Sequence, residues 1–268
     1  MNKTLNVIIV GASGKMGQTL IDEIFKDPNL QLVGAIDHPD CGRIGEDAGE
    51  KLGLKTNIPI SAELDVIKDA DILIDFTRPQ ASVNYLKHCV LHNIKYVLGT
   101  TGFDERQTSM IKKAAEKTAI CFAPNMSVGV NLLVSLVQQA AAILEKDFDI
   151  EIIEAHHRHK VDAPSGTALR LGEAAADGAK RNLKKNAIYH REGTMPVRNI
   201  SDIGFSTIRG GDIVGDHTVL FAGDGERIEL THRASSRATF AKGALRAAKF
   251  LSNHDQGLFD MADVLKIK

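Results

Sequence analysis

A glycine-rich turn between a strand and a helix does most to limit how this chain can fold. Residues 5–10, LNVIIV, form an apolar run of strand length, and the segment GASGKMG at 11–17 follows directly. An amphipathic helix is predicted next and ends before Pro28, because proline cannot continue a helix. Glycine lets the backbone turn tightly and lets a pyrophosphate approach the N–H groups at a helix start. The spacing GxxGxxG is looser than GxGxxG, and glycines in such turns also serve packing alone, so the loop by itself is a weak signal.

The rest of the first half alternates short apolar runs with helical periodicity. Such alternation is typical of a parallel sheet with helices on both faces. We therefore predict an α/β fold in which residues 1–126 form a Rossmann-type dinucleotide-binding domain. Strands are predicted at 30–37, 70–76, 95–99 and 119–124, and helices at 79–93 and 103–118.

An acidic residue closes the second predicted strand. Asp37 lies about 20 residues beyond the last glycine of the loop, where a carboxylate accepts hydrogen bonds from both hydroxyls of an adenosine ribose. The loop, its context and Asp37 together predict bound NADH or NADPH; the alternative is a Rossmann-like domain that holds no nucleotide. A carboxylate repels the 2′-phosphate of NADPH, so Asp37 favours NADH, and a protonated His38 would soften that preference.

Three later turns also follow predicted strands. They read FTRP at 76–79, GTTGF at 99–103 and APNMS at 123–127. Because ligands bind at the carboxyl ends of a parallel sheet, we expect these turns to face the cofactor. Each is also an ordinary polar turn between a strand and a helix, and that alternative stays open.

The pattern changes in the second half. A long helix at 129–146 leads to a strand at 148–157 and a further helix, and alternating strands punctuated by GGD and GDGE follow residue 203. We interpret these last strands as an antiparallel meander. Residues 127–235 are predicted to form an α+β substrate-binding and oligomerisation domain with a mixed, largely antiparallel sheet. The segment 236–268 is expected to pack back on the nucleotide domain.

Four large apolar residues alternate along the later strands. We predict that they lie on an outer face of the sheet and form an oligomer interface. The alternative is that the helix at 129–146 covers them within one chain. The four residues are Ile203, Phe205, Val219 and Phe221.

Charge and cysteine content narrow the classes of partner. The 33 lysines and arginines balance 34 acidic residues, which leaves no field to attract nucleic acid or an anionic membrane. Cys41, Cys89 and Cys121 are far apart and odd in number, which predicts no disulfide framework and suits a reducing cytosol. The most apolar stretch, 128–144, is interrupted by polar residues and predicts a core helix. We therefore expect a cytoplasmic protein without nucleic-acid or membrane partners.

The segment EAHHRHKVDAPSGTAL at 154–169 concentrates imidazole and basic side chains before a helix start. A metal site is disfavoured, because neighbouring histidines on an extended segment point to opposite faces. A solvated basic run is the second interpretation. The third is an active site in which Glu154, His156, Arg158 and Lys160 share one face of a continuing strand.

The helix start completes the third interpretation. Ser165 is predicted to cap a helix whose first N–H groups, at Gly166 and Thr167, can hold a carboxylate. Beside a nicotinamide cofactor, His156 and Lys160 would supply protons where hydride transfer leaves negative charge. The segment therefore predicts a receptor for a small polyacid, and no metal.

The same segment is similar to the signature of the dihydrodipicolinate reductases of lysine and diaminopimelate biosynthesis. The resemblance spans the chain and includes GASGKMG, IDFTRP, GTTGF, APNMSVGVN, GDIVGDHTV, LTHRASSR and GLFDMADVL. It implies that His156 gives and accepts a proton, that Lys160 donates one, and that His157, Gly166 and Thr167 contact the substrate. The cofactor contacts that it implies are Gly11, Ala12, Ser13, Gly14, Lys15, Met16, Asp37, Gly99, Thr100, Thr101, Ala123, Pro124, Asn125 and Met126.

Two further expectations come from the resemblance. It implies a homotetramer built through the sheet of the second domain. Many members also carry an arginine after the acidic residue of the second strand, and that arginine serves NADP. His38 stands at this position here, which puts a strong preference for NADPH in doubt.

The predicted activity is reduction of (4-hydroxy-)tetrahydrodipicolinate by NADH or NADPH. Another two-domain dehydrogenase, acting on aspartate or its semialdehyde, would share the first domain but would not need the segment HHRHK and its helix start. A non-catalytic NAD-binding sensor would keep the glycine loop but have no use for a His and Lys pair beside a carboxylate pocket.

Overall fold

The computed structural model describes residues 4–267, which form two compact units: residues 4–128 with 237–267, and residues 129–236. The strands are β1 (Leu5–Val10), β2 (Leu30–Ile36), β3 (Ile60–Ser61), β4 (Ile72–Asp75), β5 (Lys95–Leu98), β6 (Ala119–Phe122), β7 (Asp149–His156), β8 (Ala187–Ile188), β9 (Ile203–Arg209), β10 (Gly215–Gly223), β11 (Glu226–Ala234) and β12 (Gly257–Phe259). The α-helices are α1 (Lys15–Phe25), α2 (Pro79–His92), α3 (Glu105–Ala114), α4 (Val128–Leu144), α5 (Gly166–Gly178), α6 (Leu183–Asn186), α7 (Ala238–Leu251) and α8 (Met261–Leu265).

The first unit is built on a seven-stranded parallel sheet. Its strand order is β12-β6-β5-β4-β1-β2-β3, and every neighbouring pair is parallel. This contains the doubly wound order 3-2-1-4-5-6, with β12 added beyond β6. The central strands are largely apolar because helices cover both faces of the sheet. The predicted Rossmann-type sheet is confirmed.

Helix boundaries in this unit follow local capping. The helix predicted from residue 103 begins at Glu105, because the Asp104 carboxylate accepts from the N–H of Gln107 and the Gln107 side chain accepts from the N–H of Asp104. Helix α7 contacts α1, β5 and β6, and its small residues allow close approach. A β-carbon at Gly243 would stand 1.7 Å from the carbonyl oxygen of Met126.

The second unit contains a mixed sheet in the order β11-β10-β7-β9-β8. Strand β7 pairs antiparallel with β10 and parallel with β9, and β10 forms a hairpin with β11. The predicted mixed sheet is confirmed, but the prediction of a meander from residue 203 is wrong. The short link between β9 and β10 crosses the end of β7 instead of pairing the two strands it joins. The motif GGD indicates a turn, but it does not indicate which strand the turn crosses.

Helices α4 and α5 cover one face of this sheet. Ile203, Phe205, Val219 and Phe221 are at most 7% exposed and share a core with residues of both helices. The prediction that they form an outer face is therefore wrong, and the alternative of cover within the chain is correct. Because side chains alternate along strands, the opposite face carries Ile153, Ile208, Thr218 and Leu220, which are partly or largely exposed.

Within residues 4–267 there is no helix with the length and apolar character needed to cross a membrane.

Candidate active site

The glycine loop lies at the carboxyl end of β1. Gly11 has φ +70°, a conformation that favours glycine, and a β-carbon there would stand 2.9 Å from the Thr77 side chain. A β-carbon at Gly17 would stand 2.2 Å from the carbonyl oxygen of Gly11. Gly14 caps α1 without a side chain. The loop therefore packs its backbone closely against the start of α1.

Asp37, at the end of β2, is joined to the same loop. Its carboxylate accepts from the Ser13 N–H at 2.7 Å, from the Ser13 hydroxyl, and from the His38 N–H at 2.8 Å. The His38 ring is largely exposed and lies 3.5 Å from the Asp40 carboxylate. Sequence reasoning named Ser13 and Asp37 separately and missed their contact, because it joins two turns of the chain.

A cavity of about 210 Å³ adjoins Asp37. Its lining includes His38, Pro39, Leu64 and Tyr85. A larger cavity of about 550 Å³ lies at the amino ends of the strands, lined by Lys95 and Lys249 among others. The smaller cavity lies at the carboxyl ends of the strands, where parallel sheets bind ligands.

A buried carboxylate, Asp75, joins the turns after β4 and β5. It accepts from the Thr77 N–H at 2.7 Å, the Thr77 hydroxyl at 2.6 Å and the Thr100 hydroxyl at 3.1 Å. The Tyr96 hydroxyl also donates to it, and burial together with the Asp75 charge raises the pKa of Tyr96 well above its usual value. Sequence reasoning missed Asp75 and Tyr96, although a lone acidic residue ending an apolar strand was a visible signal.

The structure places the predicted cofactor residues on the carboxyl-end turns of the first unit. Ala12, Thr100, Ala123 and Met126 are buried, and the rest are partly or fully exposed. The exposed positions are Gly14, Lys15, Thr101 and Pro124, and the intermediate ones are Gly11, Ser13, Met16, Asp37, Gly99 and Asn125. The buried positions can present only backbone or a small part of a side chain to a ligand.

The second unit gathers the polar cluster around His156. Strand β7 ends at this residue, so the interpretation in which the strand continues through Arg158 and Lys160 is wrong. The link between β9 and β10 binds the backbone of the segment: Gly210 N–H donates to the His156 carbonyl at 2.9 Å, and His157 N–H donates to the Ile213 carbonyl at 2.8 Å. The Lys160 N–H then donates to the His157 carbonyl at 3.1 Å and closes a turn.

Glu154 and Arg209 support His156 from inside the unit. The Nδ1 atom of His156 lies 2.6 Å from Oε2 of Glu154. Arg209 donates to both oxygens of the same carboxylate at 2.8 Å. Burial would raise the pKa of Glu154, but hydrogen bonds from Arg209 and His156 lower it to about 2. Burial lowers the pKa of His156, and Glu154 works against that shift.

Ser165 caps α5, as predicted. Its hydroxyl accepts from the Ala168 N–H at 3.1 Å and lies 2.9 Å from Nε2 of His217. Burial lowers the pKa of His217 to about 4, so this ring is neutral near pH 7. The Ser165 N–H donates to Glu154 at 3.1 Å. The helix start that carries Gly166 and Thr167 is thus tied to the carboxylate that holds His156.

Lys160 and His157 lie beside this cluster. The Lys160 ammonium pairs with both oxygens of the Asp162 carboxylate at 2.8 Å. The Nδ1 atom of His157 is buried and has no hydrogen-bond partner among the described residues. Within residues 4–267, no three or more His, Cys, Asp or Glu side chains lie close enough together to hold a metal ion.

Comparison with known proteins follows the same two units. The family model described as the N-terminus of dihydrodipicolinate reductase matches residues 5–126, and the model of its C-terminus matches residues 129–265. The chain is 53% identical to 4-hydroxy-tetrahydrodipicolinate reductase of Thiobacillus denitrificans, over 99% of this chain and 100% of that protein. It is 53% identical to the same enzyme of Burkholderia multivorans, over 98% and 100%.

Solved structures give the same likeness. The dipicolinate-bound dihydrodipicolinate reductase from Paenisporosarcina sp. TG-14 has a TM-score of 0.76 and 26% identity, over 99% of this chain and 100% of that one. GenD2 from gentamicin A biosynthesis, in complex with NAD, has a TM-score of 0.61 and 12% identity, over 98% and 90%, and shares the fold alone.

Proposed function

Because this chain belongs to the dihydrodipicolinate reductase family, and so catalyses the NAD(P)H-dependent reduction of lysine and diaminopimelate biosynthesis, we propose how its own residues perform that reaction. The aspartate-type dehydrogenase and the non-catalytic sensor are set aside by this membership. The observation that carries the proposal is the buried Glu154–His156 pair beside the capped start of α5, with Lys160 in the adjoining turn.

We propose that His156 and Lys160 supply the protons. When bound, NADH or NADPH would supply hydride to the substrate ring, and negative charge would then develop on the neighbouring ring atoms. An imidazolium or ammonium group aimed at that charge stabilises it and completes the reduction by protonation. The Lys160 ammonium exchanges Asp162 for the substrate in this scheme, because an exposed ion pair is readily replaced.

The substrate carboxylates are proposed to bind at the start of α5. The start of a helix, here at Gly166 and Thr167, directs backbone N–H groups outward, and the helix dipole favours an anion there. Ser165 caps the third position and so fixes the direction of the turn. The unsatisfied ring nitrogen of His157 is a further proposed contact, because a buried polar atom gains most from a ligand partner.

The residues of the first unit fit a dinucleotide. The glycines at 11 and 17 let the loop pack closely against Thr77 and against the first turn of α1. We propose that a pyrophosphate binds the N–H groups at the α1 start. We propose that Asp37 accepts from the adenosine ribose and that NADH serves at least as well as NADPH. The remaining proposed contacts are Ala12, Ser13, Gly14, Lys15, Met16, Gly99, Thr100, Thr101, Ala123, Pro124, Asn125 and Met126.

We also propose a cytoplasmic homotetramer, assembled through the partly exposed face of the second sheet. That face carries Ile153, Ile208 and Leu220, and apolar groups at such positions gain by burial against another copy. The boundaries predicted for separable domains, 1–126 and 127–235 with 236–268 packed back on the first, stay proposals.

The test is NADH oxidation with substrate generated in situ from pyruvate and aspartate semialdehyde. Wild type should consume NADH, and His156→Ala should lower kcat by about 10²–10⁴-fold with a smaller change in KM, because a general acid acts on the transition state. A kcat for His156→Ala within about threefold of wild type would remove His156 from the chemistry.

A further inference from the structure

We propose that Glu154 is a positioning residue that fixes which nitrogen of His156 exchanges the proton. It does so by holding the other ring nitrogen and the start of α5 with one carboxylate. The proposal rests on the proposed role of His156 as proton donor. Glu154 is 1% exposed and lies within β7, so it acts through His156 and Ser165 and does not contact the substrate.

The carboxylate of Glu154 is surrounded by donors on both oxygens. Oε2 lies 2.6 Å from Nδ1 of His156 and accepts from Arg209 at 2.8 Å. Oε1 accepts from Arg209 at 2.8 Å, from the Ser165 N–H at 3.1 Å and from the Thr207 hydroxyl at 3.3 Å. A buried carboxylate with this many donors is fixed in position and remains ionised.

This arrangement selects the tautomer of His156. An ionised carboxylate only accepts hydrogen bonds, so Nδ1 must carry a proton in both the neutral and the charged ring. Nε2 is then the nitrogen that gains and loses the catalytic proton. Residues two apart on a strand point to the same face about 6.5 Å apart, which puts the Glu154 carboxylate within reach of the ring.

The surroundings of Nε2 agree with that assignment. A β-carbon at residue 215 would stand 3.0 Å from Nε2, so the glycine found there leaves the space beside this atom open. Gly215 begins β10, a different element from the one that bears the histidine. Two elements thus arrange the ring in complementary ways: β7 holds Nδ1, and β10 leaves room at Nε2.

The charged groups that face His156 set the direction of a pH effect. Glu154 on β7 stabilises the imidazolium, whereas the positive charges of Lys160 and of Arg209 on β9 destabilise it. The ring of His217 on β10, whose centroid lies 5.0 Å away, is neutral near pH 7. Burial lowers the pKa of His156, and Glu154 is the group that resists this. Removal of the Glu154 charge should therefore lower that pKa further and reduce the fraction of acid form at a given pH.

The test is the pH profile of kcat and kcat/KM for Glu154→Gln. We expect kcat to fall by between about 10-fold and about 10⁴-fold, as for other carboxylates that orient an imidazole or a ligand. We also expect the alkaline limb of the profile to move to lower pH. Glu151→Gln is the matched control, because Glu151 lies on the same strand and pairs with Arg191 and Arg198 but does not touch His156. Its alkaline limb should keep the wild-type position.

The outcomes separate this inference from the proposed function. A Glu154→Gln enzyme with wild-type kcat and an unmoved limb, alongside an inactive His156→Ala enzyme, overturns the positioning role and leaves the proton-donor role intact. An active His156→Ala enzyme overturns the proposed proton-donor role of His156 itself.

A measurement on wild type decides the question if Glu154→Gln does not fold. In ¹⁵N-histidine spectra, with His156 assigned by its loss in His156→Gln, the neutral ring should carry its proton on Nδ1. A ring protonated on Nε2 would overturn the proposal.

Discussion

Asp75 in the first unit and Glu154 in the second are both buried carboxylates on strands of a sheet, yet their partners differ in kind. Asp75 accepts from neutral donors: the hydroxyls of Thr77, Thr100 and Tyr96 and one backbone N–H. Glu154 accepts from the Arg209 guanidinium and holds a titratable ring. The first arrangement joins two turns through uncharged donors, whereas the second connects its carboxylate to an imidazole ring.

The largest effect that tests this contrast is expected from Asp75→Asn. The amide keeps the size of the side chain but replaces one acceptor oxygen with a donor, so at least one buried donor loses its partner. We expect a loss of about 3 kcal/mol in the free energy of unfolding, measured with urea, and a higher KM for NADH. The pH limbs of kcat should stay in place.

Tyr96→Phe is the matched control for Asp75→Asn, since it removes one donor and leaves the carboxylate; we expect a loss of about 1 kcal/mol. If Asp75→Asn shifted a limb of the pH profile of kcat, Asp75 would take part in proton transfer, and Asp75 and Glu154 would not differ in role.

The two regions also differ in how much of their structure could be predicted from the sequence. Apart from the two-residue strand β3, the order of strands and helices up to β6 was predictable, because each element carries its own periodicity and its own turn residues. The glycine loop, Asp37 and the Ser165 cap of α5 were also predictable, because their residue types occur in short local patterns.

What the sequence hid depends on contacts between distant segments. Arg209 lies 55 residues from Glu154 along the chain, and His217 lies 52 residues from Ser165. The pairing of β9 with β7 was missed because a turn signal names the residues of a turn and not the strand that the link crosses. The faces of Phe205 and Phe221 were misassigned because alternation gives two faces without saying which one the helices cover.

A second prediction concerns acid stability. The pKa of His217 is lowered to about 4 by burial, so between about pH 6.5 and 4 the unfolded chain binds a proton that the folded chain does not. Stability from this group is therefore present above pH 6.5 and is lost as the pH falls. Between pH 7 and pH 5 the loss should be about 2 kcal/mol.

The measurement compares urea unfolding at the two pH values for wild type and His217→Gln. The variant should lose about 2 kcal/mol less than wild type over this interval, whatever its stability at pH 7. His190→Gln, at a ring that is 78% exposed, is the control and should lose as much as wild type. An identical loss in His217→Gln would mean that the ring is already solvated or charged in the folded protein.

The smallest expected effect concerns the choice of cofactor, which we attribute to Asp37 in the first unit. Asp37 accepts from Ser13, and the His38 ring lies beside Asp40, so two carboxylates lie close to the site proposed for the adenosine ribose. Wild type should use NADH at least as well as NADPH at pH 7.5.

Asp37→Ser combined with His38→Arg should move the ratio of kcat/KM toward NADPH by about tenfold, or about 1.4 kcal/mol, because a guanidinium binds phosphate in a bidentate manner. Asp37→Ser alone should move it less, since it removes repulsion without adding a cation. A wild-type enzyme that prefers NADPH tenfold would show that a cation elsewhere, such as Lys15 in the glycine loop, binds the phosphate and that Asp37 does not decide the preference.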